Sequence, residues 1–176
     1  MPDEPWPPSF TLDQERVLNL LTGDRFYSNP SAALREAVLN AIDAVQRRRS
    51  VALDPPPDIT VTFDRRNLTI DVADNGTGMN RGDISALFTK VGASAATAEA
   101  KKKSVGEFGI GVISYFMAGD AFDLQTNNGS SGPIGLSFSR NMLAGEGAAE
   151  ITATRQSRGT IVTLRARDAA TFELLL

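Results

Sequence analysis

Residues 58–80 read DITVTFDRRNLTIDVADNGTGMN, and the alternation in this stretch decides the fold class. Ile59, Val61 and Phe63 alternate with polar neighbours, as do Leu68, Ile70 and Val72, which is the two-residue period of half-buried strands. The spacing predicts strands over Asp58–Phe63 and Leu68–Ala73, joined by the polar turn Asp64–Asn67. Asp74–Asn80 then forms a glycine turn that leads into a short helix around Asp83–Phe88.

Upstream, Asp54-Pro55-Pro56-Pro57 interrupts the chain and separates the strands from a helix. Asn29-Pro30-Ser31 is a helix-start signal, and the helix is expected from about Pro30 to Arg49. Leu34, Val38, Ala41 and Val45 make its apolar stripe, and Arg47, Arg48 and Arg49 suit its negative C-terminal end. FTLDQERVLNLL, from Phe10 to Leu21, reads as a short helix after a strand or turn. Residues 1–9 carry four prolines and read as a flexible leader. Downstream, residues 92–105 are small, then basic, and read as a mobile loop or lid. The apolar half of Gly106–Gly119 reads as a buried helix. Four further strands are expected near 121–127, 133–139, 148–155 and 160–166, and Asp168–Leu176 reads as a helix just beginning. The sum is an α+β domain with an antiparallel-leaning sheet and its helices on one face.

Composition narrows the chemistry. The 176 residues are 41% hydrophobic and 22% charged, with a formal net charge of −3, an ordinary globular balance that argues against coating nucleic acid or an anionic membrane. No cysteine excludes disulfides, thiol nucleophiles and Cys-based metal sites; no histidine excludes Ser-His-Asp hydrolysis and His-ligated metals within the chain. The acidic, Pro-rich start lacks the pattern of a secretory signal, and no apolar run is long enough for a membrane helix, so a cytoplasmic location is expected.

Four segments carry candidate chemistry. Glu36, Asn40 and Asp43 fall on one face of the predicted helix, opposite the Leu34–Val45 stripe. Alone they read first as the solvated face of an amphipathic helix; chemically, an Asn carbonyl suits a hard cation and a Glu one turn away can polarise water. Asp74, in the turn with Gly76, Gly78 and Met79, is either ordinary turn chemistry or an acceptor for an exocyclic amine such as adenine presents. Gly106-Glu107-Phe108-Gly109-Ile110-Gly111 is neither a P-loop nor a dinucleotide fingerprint. It reads as a hinge, or as backbone amides offered to phosphate. Gly159-Thr160 by itself is a turn entering a strand.

In order and spacing, however, the four segments resemble the nucleotide-binding boxes of the GHKL ATPase superfamily: gyrase, the heat-shock-protein-90 chaperones, histidine kinases and mismatch-repair ATPases. FYSNPSAALREAVLNAIDAV (26–45) and GEFGIGVISYFMAGD (106–120) are closer still to the chaperone branch. The resemblance covers about Phe10 to the last residue. It implies a Bergerat-type two-layer α/β sandwich, helices over a mixed, mostly antiparallel sheet, spanning residues 10–176 with a lid at about 83–105. It also implies that Glu36 is the general base and that Asn40 is the Mg²⁺ ligand, with Asp43 on the same wall of the pocket. Asp74 takes the place of the adenine-binding aspartate, supported by Thr160, and Gly78 and Met79 that of the base-packing turn. Gly109, Ile110, Gly111 and Val112 match the loop whose amides meet the phosphates.

The same resemblance implies ATP or ADP with Mg²⁺ as ligands and slow hydrolysis with lid closure. Client or partner proteins would be reached through domains outside this chain, with no nucleic-acid or membrane partner. This piece is expected to be monomeric, the full-length protein a homodimer. The chain stops where the family's domain adds a helix and a strand, which reads as C-terminal truncation or an unusually short relative. Glu107 stands where the chaperones usually carry Gln, Val112 where they carry Phe, and Ala86 and Leu87 where their lid helix carries an Asn pair. Ala93 falls at their lid lysine, for which Lys90 or Lys101–Lys103 are candidate substitutes. Two rival readings share the fold: a non-hydrolysing nucleotide sensor or scaffold, and a histidine-kinase catalytic domain, against which the presence of Glu36 counts.

Overall fold

The long helix α1 (Ser31–Arg49) begins one residue after Asn29-Pro30, with Pro30 at its N-terminal boundary. The computed structural model describes residues 29–51, 55–89, 111–141 and 147–176. The expected leader, the helix over Phe10–Leu21, Lys90, Ala93, Lys101–Lys103, Glu107, Gly109 and Ile110 lie outside these residues. The Asn29 and Pro30 carbonyls accept from the Ala32 and Ala33 amides at 3.1 and 3.0 Å. Asn29 Oδ1 takes a hydrogen bond from the Ser31 hydroxyl rather than from a backbone amide.

The buried face of α1 is Ala33, Ala37, Ala41, Ala44 and Val45. Leu34 and Val38 from the expected stripe are only partly buried, at the margin of the core. Alanine has nothing beyond Cβ, so the helix axis can lie close to the sheet while larger neighbours fill the edges. That rotation corrects the placement of Glu36, Asn40 and Asp43. They flank the buried face instead of opposing it, and all three are half-buried.

Strands β1 (Ile59–Asp64) and β2 (Thr69–Asp74) form the expected hairpin, each one residue later than the alternation predicted. Leu68 has φ 54° and belongs to the turn. The Asp64 carboxylate holds that turn by accepting from the Arg66 and Asn67 amides at 2.9 and 3.1 Å. After β2 come α2 (Arg81–Thr89), α3 (Gly111–Ser114) and a single 3-10 turn, Tyr115–Met117. Strands β3 (Ala121–Asn127), β4 (Pro133–Ser139), β5 (Ala149–Glu150) and β6 (Gly159–Arg165) follow, then α4 (Ala169–Glu173). Asp168 caps α4 by accepting from the Thr171 amide at 2.7 Å, so this helix is shorter than the expected 168–176.

The sheet has the order β1-β2-β6-β3-β4-β5, and every described pairing is antiparallel. Helix α1 packs over β2 and β6, with the 111–117 segment beside it over β3, which is the two-layer α/β arrangement the sequence implied. Register stacks the inward side chains in cross-strand rows. One row is Ile70, Leu164, Phe122 and Phe138; the next is Val72, Val162, Leu124 and Leu136. Phe122 stacks on Phe138 at 4.7 Å and meets Tyr115 and Phe116 edge-on at 5.0 and 5.2 Å.

A strand over 148–155 is not formed beyond Glu150. The Ile151 amide bonds the Gly135 carbonyl at 3.0 Å, but the Thr154 amide is taken at 2.9 Å by the Gln125 side chain. The Arg155 side chain reaches the Asp74 carbonyl. Side-chain acceptors thus replace the ladder over this segment. No helix among the described residues is long and apolar enough to cross a membrane.

Candidate functional site

The third inward row of the sheet breaks the apolar pattern: Asp74, Thr160 and Thr126 are cross-strand partners on β2, β6 and β3. Asp74 is only 6% exposed, and its Oδ1 accepts from the Gly76 amide at 2.7 Å and the Thr160 amide at 3.3 Å. Thr126 is fully buried; its Oγ1 accepts from the Met79 amide at 2.9 Å and lies 3.1 Å from Thr160 Oγ1. Its hydroxyl also reaches the Gly159 carbonyl at 3.2 Å. The row therefore ties strand ends and the 74–80 turn into one polar network.

That turn is clamped from outside. Gly78 has φ +63°, and a Cβ there would lie 2.1 Å from the Asn127 carbonyl oxygen, so no other residue fits without rebuilding the turn. The Thr77 amide bonds the Ala44 carbonyl of α1 at 3.2 Å, and Arg158 Nε donates to the Thr77 carbonyl at 3.0 Å. Burial pushes the Asp74 carboxyl above the usual carboxylate range, while the Gly76 and Thr160 amides and the Arg155 and Arg47 guanidiniums pull it back. With described bonds only to Oδ1, this carboxylate keeps acceptor capacity for an amine presented at the row.

The second cluster sits on the flank of α1. Asn40 Nδ2 donates to Glu36 Oε1 at 3.3 Å and to the Tyr115 hydroxyl at 3.0 Å. Gly111, the first residue of α3, faces Glu36 so closely that a Cβ would lie 2.1 Å from Oε1. Val112 follows, buried in the core at 5% exposure. Asp43 lies one turn beyond Asn40, beside the Ala44 carbonyl that the Asp74 turn engages. From Ala44 back to Glu36 is eight residues, about 12 Å along the helix. One elongated ligand with an amine at one end and anionic oxygens at the other matches this layout.

For a divalent cation the donor set can be judged from Asn40. Both Nδ2 hydrogens are committed, so the carbonyl Oδ1 remains as a hard oxygen donor. Among the described residues no three acidic side chains gather into a metal group. A cation here would draw its remaining ligands from phosphate oxygens and water, the usual habit of Mg²⁺. The residues fit such an ion bound together with a nucleotide.

Of the residues singled out from sequence, Glu36, Asn40 and Gly111 come together, Val112 adjoins them, and Asp74, Gly78, Met79 and Thr160 form the other cluster. Asp43 lies between, and Gly109 and Ile110 fall outside the described residues. Thr126 and Tyr115 were missed. Thr126 follows Phe122 and Leu124 on the inward face of β3, so a polar residue continuing an apolar period was its available signal. Tyr115 reads as a core aromatic, and nothing local tells where its hydroxyl goes.

Comparison with known proteins identifies a family. The profile of the family described as histidine kinase-, DNA gyrase B-, and HSP90-like ATPase matches residues 27–171. Chaperone protein HtpG of Klebsiella pneumoniae is 32% identical over 177 aligned positions, covering 90% of this chain and 28% of that protein. The HtpG proteins of Aliarcobacter butzleri (29% identical, 90% of this chain, 27% of that protein) and Citrobacter koseri (32%, 90% and 28%) align over a similar span. The chain thus spans little more than a quarter of the length of these relatives. With that profile matched across most of its length, the chain belongs to the histidine kinase-, DNA gyrase B- and HSP90-like ATPase family, as a GHKL ATP-binding domain related to HtpG chaperones.

Proposed function

We propose that the chain binds Mg-ATP with adenine at the Asp74–Thr160–Thr126 row and the phosphates at Glu36, Asn40 and the Gly109–Val112 segment, and that it hydrolyses ATP slowly. The observation that carries this reading is the pairing of a buried carboxylate at the sheet end, whose turn bonds Ala44 of α1, with the Glu36–Asn40 contact on α1 that Gly111 of α3 faces.

Asp74 accepts the adenine 6-amino hydrogen, and Thr160 supports it through its backbone amide, its hydroxyl being paired with Thr126. Guanine presents an acceptor at that position and is repelled by the carboxylate. Gly78 and Met79 give the flat base a close backbone and a soft apolar wall. Mg²⁺, when bound, neutralises phosphate charge and steadies the leaving oxygen. Asn40 presents Oδ1 towards it. Glu36 takes the proton of a water that attacks the γ-phosphorus as the bond to the β,γ-bridging oxygen breaks, giving ADP and phosphate. The Asn40 contact holds the Glu36 carboxylate in place for this role.

Turnover by this chain alone is expected to be slow, because transition-state charge needs a cation supplied from elsewhere in the longer protein. In that setting the 83–105 segment closes over the nucleotide, and clients and a second protomer are engaged by other domains in the cytoplasm. A nucleotide sensor without hydrolysis would keep the same binding and lose only turnover. Calorimetric titration of Mg-ATP and Mg-GTP, with a turnover assay on the longer protein, tests the reading. Adenine-selective binding with measurable release of phosphate is expected. Equal affinity for both nucleotides would overturn the base assignment; binding with background turnover would favour the sensor.

A further inference from the structure

Tyr115 supplies a core ring, edge-on to Phe122, but its hydroxyl does something the core does not require. The residue is 4% exposed, and its Oη accepts from Asn40 Nδ2 at 3.0 Å. The same nitrogen donates to Glu36 Oε1 at 3.3 Å. An ionised carboxylate oxygen can only accept, so the Glu36 contact decides which way round the Asn40 amide lies. Both hydrogens of Nδ2 are then engaged, and Oδ1 is turned to the other side of the group.

We propose that Tyr115 is a positioning residue that locks the Asn40 amide with Oδ1 facing a nucleotide-bound Mg²⁺. This rests on the assignment of Asn40 given under the proposed function. Without the hydroxyl, the amide is held, among the described residues, by the longer contact to Glu36 and can turn about its terminal torsion, which is intrinsically broad. Oδ1 then spends less time towards the cation, while the adenine end of the site is untouched. The Tyr115 hydroxyl therefore controls the Mg²⁺-dependent part of nucleotide affinity and not the affinity of the base.

Tyr115→Phe removes the hydroxyl and keeps the ring. ADP is titrated into the whole 176-residue chain in EDTA and in Mg²⁺, for the wild type, Tyr115→Phe, Asn40→Ala and the double variant. The gain in ADP affinity on adding Mg²⁺ is expected to shrink about three- to tenfold in Tyr115→Phe, with affinity in EDTA unchanged. In the Asn40→Ala background, Tyr115→Phe should have no further effect, because the two act through one bond. Wild-type Mg²⁺ dependence in Tyr115→Phe overturns the proposal. So does an equal loss with and without Mg²⁺, which makes the hydroxyl structural, and so do additive effects in the double variant. A Mg²⁺ gain that survives Asn40→Ala instead overturns the Asn40 assignment, and a wild-type chain that binds no ADP overturns the whole site; each removes the proposal by a different result.

Discussion

Asp74 and Thr160 are direct partners in the β2–β6 ladder, whereas Glu36 and Asn40 meet Gly111 and Tyr115 through side chains and one bare glycine. At the sheet end, β6 is laddered on both sides, to β2 and β3, so the polar row can move only if register breaks. At the helix end, position depends on individual hydrogen bonds at 3.0 and 3.3 Å and on the absence of a Cβ at Gly111. The sheet end is thus rigid and its substitutions should change recognition without changing geometry. The helix end is adjustable, and its substitutions should change chemistry through small displacements.

The largest expected effect tests the helix end. Under the proposed function, Glu36→Ala should lower ATP turnover by about 10²–10⁴-fold while ADP affinity stays near wild type. Equal loss of binding and turnover would mean that Glu36 holds structure instead.

Asp74→Asn tests the sheet end. ADP affinity should fall by about 10- to 150-fold, the loss of a charge-assisted hydrogen bond, as read by calorimetry. The same variant should melt no lower than wild type at neutral pH, since it removes a buried charge and leaves an oxygen for the Gly76 and Thr160 amides. A lower melting temperature would show that the carboxylate supports the row.

Thr126→Val probes whether the row acts as a unit. It leaves the Met79 amide without its acceptor and Thr160 without its neighbour, and should destabilise the chain by about 1–3 kcal/mol in denaturant unfolding. An unchanged midpoint would mean the row is three separate contacts.

The smallest effect is on pH. Because the folded-state pKa of Asp74 is raised, its ionised form costs stability. That cost is absent below the unfolded value and grows as pH rises through the interval up to the raised value. Ligand affinity runs the other way: it should decline on acidification at a pH above the ordinary carboxylate range, and Asp74→Asn should flatten that profile. An affinity profile as steep in the variant would assign the titration to another group.

Local pattern carried much of this architecture. The Asn29-Pro30 start, the alternation on either side of Asp64–Asn67 and the glycine turn after Asp74 each depend on residues within a few positions, and the elements lie there within a residue or two. The α1 face is a different matter. Leu34 and Val38 are the more hydrophobic residues, but the sheet's approach selected Ala33, Ala37, Ala41 and Ala44, which periodicity weighted by hydrophobicity undervalues. The failed strand after Glu150 depended on Gln125 and Asp74, far off in sequence, competing for its backbone and for Arg155.

In the candidate site, Glu36, Asn40 and Asp74 could be singled out because their spacing resembles ordered boxes of a known superfamily. Thr126 joins the row only through the β3–β6 register, and Tyr115 joins Asn40 only across the helix layer. Neither relation has a local trace, so both needed the folded chain.

The division into a base end and a phosphate end is tested most directly by equilibrium binding of adenosine and of Mg-ADP to the wild type, Asp74→Asn and Asn40→Ala. The account predicts that Asp74→Asn weakens both ligands by the same factor, and that Asn40→Ala weakens Mg-ADP while leaving adenosine unchanged. Loss of adenosine affinity in Asn40→Ala, or adenosine binding that survives Asp74→Asn, would contradict it.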